Sequence, residues 1–147
     1  MLVAMKRNMK NEKGLTLIEL LAVVVILGII AAIAIPSIGG LIDNSKKDAH
    51  IANATQMINS AKTYVAGNAN STLDANLTLE DMIAGGYIDE MEDPDGGVYV
   101  PKNSEVVIAK SGNSYTYTVT LVGTERSIKD KEIDELDRAA VEENATP

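Results

Sequence analysis

Lys13-Gly14-Leu15-Thr16-Leu17-Ile18-Glu19-Leu20 decides the reading of this chain, because it opens onto an uncharged, largely apolar run that ends only at Ile42. A polar leader with Lys6, Arg7, Lys10 and Lys13 precedes it, in which Met1, Met5 and Met9 are alternative starts. A secretory signal is cut after its apolar run and discarded with it. Here the small residue suited to a cut, Gly14, stands before the run, so the run stays in the mature chain. Leu20 to Ile42 is 23 residues. At about 1.5 Å of rise per residue it would span roughly 35 Å as a helix, enough for a hydrocarbon core about 30 Å thick.

Charge follows the same division. Up to Ile42, four basic residues stand against Glu12 and Glu19, leaving +2, so the remainder carries −10 of the total −8. Basic residues before an apolar span predict that this end stays cytoplasmic and the acidic remainder lies outside. An acidic surface of this kind repels nucleic acid, whose non-specific binding needs lysine and arginine on phosphates, so no direct nucleic-acid partner is expected. The chain has no cysteine, which removes disulfides, thiolate metal sites and cysteine nucleophiles together. His50 is its only histidine.

Three residues of the apolar segment exceed what a plain anchor needs. Glu19 places a carboxylate where ionisation is costly unless a partner is found. A cut after Gly14 would free the Leu15 amine four residues upstream, available to Glu19 within one helix or between neighbouring copies. The alternative is a carboxylate that reaches the headgroups. Gly28 is a soft point, and Pro36 removes a backbone donor and crowds the preceding turn.

Beyond Ile42, Ile51, Ala54, Ile58, Ala61 and Val65 recur at three- and four-residue spacing, with Asn53, Gln56, Asn59 and Lys62 elsewhere around the helix. This predicts one helix from about Leu15 to Ala66, greasy all round in its first half and amphipathic in its second, ended by Gly67 and the loop 68–72. Thr78 reads as the N-cap of a short helix, Leu79 to Ala84, stopped by Gly85-Gly86. Asp93-Pro94-Asp95-Gly96-Gly97 is a turn signal, and Val98 to Val100 reads as a short strand. Glu105 to Ala109 and Tyr115 to Val122 read as a hairpin through Ser111-Gly112-Asn113, with Tyr115, Tyr117, Val119 and Leu121 facing the long helix and the threonines facing water. Arg126 to Glu143 reads as a charged, weakly amphipathic helix, with Asn144 to Pro147 loose. The fold class expected is α+β, a long N-terminal helix packed on a small antiparallel sheet.

Candidate chemistry is sparse. His50 near Asp43 and Asp48 reads as a surface histidine, since a lone histidine without a ligand set is weak evidence for metal. Asp89, Glu90, Glu92, Asp93 and Asp95 offer oxygen ligands, but their spacing is not an EF-hand loop and a turn accounts for them. No catalytic, cofactor-binding or metal-ligating residues are assigned, and an enzyme is not expected.

The basic leader, Gly14, an apolar residue after it, Glu19 and Pro36 together resemble the type III signal of type IV pilins and pseudopilins, over roughly Lys13 to Ser37. The resemblance implies a leader, residues 1–14, removed after Gly14 by prepilin peptidase, with N-methylation of Leu15. It implies a transmembrane and filament-core helix half, residues 15–42, and a globular head, residues 43–147. It implies that Glu19 pairs with the N-terminal amine of an adjacent subunit, and that the helix loosens between Gly28 and Pro36 in the filament. Leu15 stands where phenylalanine is usual, and no disulfide can pin the C-terminal region. The function implied is a pilin, in the major-subunit role. It would be a homo-oligomer that waits in the membrane and is assembled by a platform and ATPase into an extracellular filament. A pseudopilin of a type II secretion or competence system is the alternative within the family, and a membrane-tethered module that never polymerises is the alternative outside it.

Overall fold

The computed structural model describes residues 9–68 and 73–145, with side chains from residue 16 onward. The leader up to residue 8, most of the predicted 68–72 loop and the last two residues lie outside the described residues. The chain divides into two compact units, Met1–Ile42 and Asp43–Pro147.

The long helix α1 runs Met9–Gly67, with Pro36 inside it. From Thr16 to Ile42 its described side chains are almost all exposed, including Leu17, Leu21, Ile29, Ile33 and Leu41. Nothing in its own unit covers this surface, as expected of a segment that is apolar on every side. The helix stays continuous through Gly28 and Pro36. One missing donor does not break a helix whose other backbone bonds close locally, so the loosening expected there is not a feature of the single chain.

In the second unit, α1 buries His50, Ala54, Met57, Ile58, Ala61 and Val65, a stripe at three- and four-residue spacing. The sequence-derived stripe is therefore rotated slightly. Ile51 is only half-buried, while Met57 and His50 take central places. The stripe packs against a five-stranded antiparallel sheet in the order β1-β2-β3-β4-β5. The strands are β1 Asn76–Thr78, β2 Glu105–Ser111, β3 Ser114–Val122, β4 Arg126–Lys131 and β5 Glu142–Glu143. Val106 and Ile108 of β2, Val119 and Leu121 of β3 and Ile128 of β4 form the buried face. The predicted alternation along β3 is thus present, with register Val106↔Val119 and Ile108↔Tyr117 to β2. Within this unit the α+β class is as expected.

The short helix α2, Leu79–Ala84, has the caps its sequence implies. Thr78 accepts the Asp81 N–H through its side chain. At the other end the Gly86 N–H reaches the Ile83 carbonyl and the Tyr87 N–H reaches Met82. This is a Schellman closure, which needs a left-handed residue, and Gly86 supplies it at φ +72°.

Two predicted elements are corrected. Val98 to Val100 is not a strand. It is hooked to the end of β3 by the Val100 N–H on the Val122 carbonyl and by the Thr124 hydroxyl, which bonds both the N–H and the carbonyl of Val98. The acidic C-terminal helix over Arg126–Glu143 does not exist either. The segment forms β4, two single-turn 3-10 helices (Ile133–Glu135 and Arg138–Ala140) and β5. The free edge of β3 offers a row of unpaired backbone groups, and β4 satisfies them while placing Ile128 in the core. Asn144 is not loose: its amide donates to the carbonyls of Gly123 and Thr124, and its oxygen accepts the Ser127 hydroxyl.

Candidate functional site

Glu19 lies on α1 at the start of the apolar run and is exposed. In a continuous helix it stands one turn after Leu15, the spacing at which a freed amine and a carboxylate face each other along one side. Gly14 and Leu15 are within the helical backbone, and the Leu15 side chain lies outside the described residues. Gly28 has open space all round it, as do Gly39 and Gly40. Among the described residues one helix is long and apolar enough to cross a membrane, and it is this one. It fits membrane anchoring.

A second constellation, which the sequence did not reveal, sits in the head. His50 is 1 % exposed rather than on the surface. Its Nε2 is 2.9 Å from Asp95 Oδ2 and 3.7 Å from Asp93 Oδ1, and its Nδ1 is 2.9 Å from the Tyr99 hydroxyl. Asn53 Nδ2 donates to that same hydroxyl at 3.0 Å. Burial, with the negative field of Asp93 and Asp95 beside it, pushes the Tyr99 hydroxyl up to about 12 even against the Asn53 bond. Tyr99 therefore keeps its proton and donates to Nδ1, which places the histidine proton on Nε2, aimed at Asp95. Every donor in the series Asn53, Tyr99, His50 has an acceptor.

Positive charge closes the cluster on its other side. Lys46 Nζ is 3.3 Å and Arg126 Nη1 3.6 Å from Asp95 Oδ1, while Arg126 Nη2 bonds Asp43, which also pairs with Lys47. Asp93 is held by backbone: its oxygens accept the N–H groups of Asp95 and Thr124. Gly123 makes this approach feasible, since a Cβ there would meet the Arg126 carbonyl at 2.7 Å and Asp93 Oδ2 at 2.9 Å. Arg138 grips Asp48 with two bonds, at 2.6 and 2.7 Å.

His50, Asp93 and Asp95 bring ligand-type atoms within 4.8 Å of one another. Lys46 and Arg126 already bring positive charge to Asp95, so the cluster is neutralised by the chain's own side chains. The cluster ties α1, the 93–99 turn and β4 together, where a disulfide is not available. The signal for it was present but faint: His50 stands four residues before Ala54, one turn back along the buried stripe.

The cluster carries a pH dependence. Burial opposes ionisation of Asp95, but the hydrogen bonds from His50 and Lys46 and the nearby charge of Arg126 outweigh it and hold the carboxyl below its ordinary 3.8. A depressed folded-state value stabilises the fold above the unfolded value and is lost as pH falls through the folded one. In Asp95→Asn the acid-unfolding curve of the detergent-solubilised chain should therefore flatten below about pH 4, measured by circular dichroism. An unchanged acid limb would show that Asp95 contributes nothing there.

Comparison with known proteins bears on the N-terminal segment alone. Residues 9–35 match the family model described as the prokaryotic N-terminal methylation motif. No curated protein and no solved structure matches the chain. The matched segment includes Gly14, Glu19 and most of the apolar run, so the chain carries the prokaryotic N-terminal methylation motif, the signal of type IV prepilins.

Proposed function

We propose that this protein is a structural subunit, in the major-pilin role, of a type IV pilus. The observation that carries the reading is the methylation motif at residues 9–35 placed on a continuous helix with Glu19 at its apolar threshold. Prepilin peptidase cuts after Gly14, and Leu15 becomes the N-methylated first residue. Methylation leaves the amine able to carry positive charge, and Glu19 of an incoming subunit pairs with the amine of its neighbour. The uncharged helix half is held in lipid before assembly and among the same segments of other subunits afterwards. Both environments keep it from water, so the transfer is nearly balanced and an ATPase, acting through a membrane platform, can drive it. The filament is then extracellular. A structural role is favoured over a catalytic one by the only histidine, which is sealed in the core among bonded partners.

Mass spectrometry of the N-terminus, from native cells and from a strain without the prepilin peptidase, tests this. The expected product is a chain that begins at N-methylated Leu15 in the first and an uncut chain in the second. An identical, uncut N-terminus in both strains would sink the pilin reading and leave a tethered head.

A further inference from the structure

Negative charge is unevenly matched in the head. From Thr63 to Pro101 there are eight acidic residues and no lysine or arginine. Ion pairs among the described residues go elsewhere: Lys46, Lys47, Arg126 and Arg138 hold Asp43, Asp48, Asp95 and Glu143. Asp89, Glu90 and Glu92 are exposed and take no part in those pairs. Glu90 lines an apolar groove of about 310 Å3, and Asp89 and Glu92 flank the lining pair Glu90 and Met91 in the chain.

One wall of the groove is α2, through Leu79 and Ile83, and the other is the loop that carries Met91, Val98 and Pro101. Val98 is 71 % exposed, more than any other large apolar side chain among the described residues of the head. That exposure is not slack. The Thr124 hydroxyl bonds both backbone groups of Val98, and the Val100 N–H reaches the Val122 carbonyl. On the other wall the N–H groups of Leu79 and Glu80 donate to the carbonyls of Ser104 and Pro101. Both walls are therefore in place before anything binds, which lowers the ordering cost of binding. Met91, half-buried at the rim, can adjust to the shape of what enters.

We propose that this groove docks a basic, apolar segment of another protein. One large aliphatic or aromatic side chain of that segment seats against Val98 and Met91, and lysines or arginines on either side of it meet Asp89, Glu90 and Glu92. A fixed apolar patch rimmed by charge is the form that such docking sites take, and the sign of the rim selects the partner. A second copy of this chain does not supply the match, because the exposed Ile133 of the head stands between Glu132 and Asp134. The docking belongs to the head and does not need the filament reading.

Fluorescence anisotropy of a labelled peptide, titrated with the full chain in a non-ionic detergent, tests this. The probe is a capped peptide with one leucine flanked on both sides by lysines. Its controls carry serine for the leucine, or glutamates for the lysines. The lysine–leucine peptide should bind, and the serine control should bind about tenfold more weakly, the effect of one apolar side chain removed from water. Val98→Ser should weaken the leucine peptide and leave the serine peptide unchanged. Glu90→Lys combined with Glu92→Lys should weaken the lysine peptide about tenfold and create binding of the glutamate peptide. A misfolded head cannot produce that gain. Equal binding of the leucine and serine peptides would reduce the surface to diffuse electrostatics and overturn the groove. No binding of the lysine–leucine peptide, or a charge-reversed chain that does not exchange its preference, overturns it as well. Self-association of the wild-type chain that Val98→Ser abolishes, read by analytical ultracentrifugation, would make a second copy the occupant and likewise overturn the proposal.

Discussion

Glu19→Gln should abolish filaments while leaving the chain in the membrane. Glutamine keeps the size of the side chain and lowers the cost of burying it, so insertion by the 23-residue uncharged segment proceeds. Cleavage after Gly14 should also proceed. On the proposed filament reading, what is lost is attraction between the carboxylate and the amine of Leu15 on the neighbouring subunit, in a setting with little water to screen it. Each lost 1.4 kcal/mol costs about tenfold in an association constant, and the loss recurs at every subunit added, so surface filaments should fall by more than about tenfold. Counting sheared pilin by immunoblot, with membrane pilin as the internal control, measures this. Normal filaments from Glu19→Gln would reduce Glu19 to a headgroup-seeking side chain. A variant missing from the membrane altogether would show that the carboxylate acts earlier, in insertion.

The second large effect is expected in the head. Arg126 is 12 % exposed, bonds Asp43 and stands 3.6 Å from the buried Asp95 carboxylate, which is 3 % exposed. Its Nη1 is buried without a hydrogen-bond partner among the described residues, so its interaction with Asp95 is electrostatic. Breaking a buried pair by removing one member typically costs about 3–5 kcal/mol. Lys46 and His50 remain on Asp95, and Asp43 is partly solvated. Arg126→Met, which keeps much of the packed stem, should therefore lose about 3 kcal/mol. That corresponds to roughly 10 °C in Tm for a domain of this size, read by thermal melting of the detergent-solubilised full chain. Arg126→Lys should fall between, since it keeps the charge without the fork. A Met variant that melts at the same or a higher temperature would mean that desolvation of the cluster costs as much as its pairing returns.

Arg126 also shows why the C-terminal segment was misread. From Arg126 to Glu143 charged residues are dense, and Ile133, Leu136 and Ala140 suggest a helical side. That pattern is weak because it is short of apolar residues, and local spacing had nothing stronger to set against it. The deciding fact lies elsewhere in the chain: β3 has two edges, β2 occupies one, and the other needs a strand. Once β4 pairs there, Ile128 falls into the core, Arg126 turns inward, and residues 132–141 return through two single 3-10 turns to pair as β5. Val98 to Val100 failed in the opposite direction. Its β-branched residues suit a strand, but its backbone groups are satisfied by Val122 and the Thr124 hydroxyl and form no ladder.

The processing segment was legible because everything in it is local. Gly14, Glu19, the uncharged run and Pro36 are defined by order and spacing along one helix, and the boundary at Ile42 is a change of composition. The caps of α2 and the hairpin between β2 and β3 were legible for the same reason, since a turn is fixed by the few residues that make it. The buried cluster was not. His50, Asn53, Asp95, Tyr99 and Arg126 are up to 76 positions apart in the chain, and a lone histidine or a Pro-Gly turn has an ordinary solvated explanation when seen alone. Burial is a property of what packs on top, and only the tertiary structure decided it. The sequence by itself determined that this chain has a long apolar N-terminal helix carrying a methylation motif. Tertiary structure decided how an acidic, cysteine-free head closes its sheet and pins its C-terminal region, because those bonds join residues that no local pattern relates.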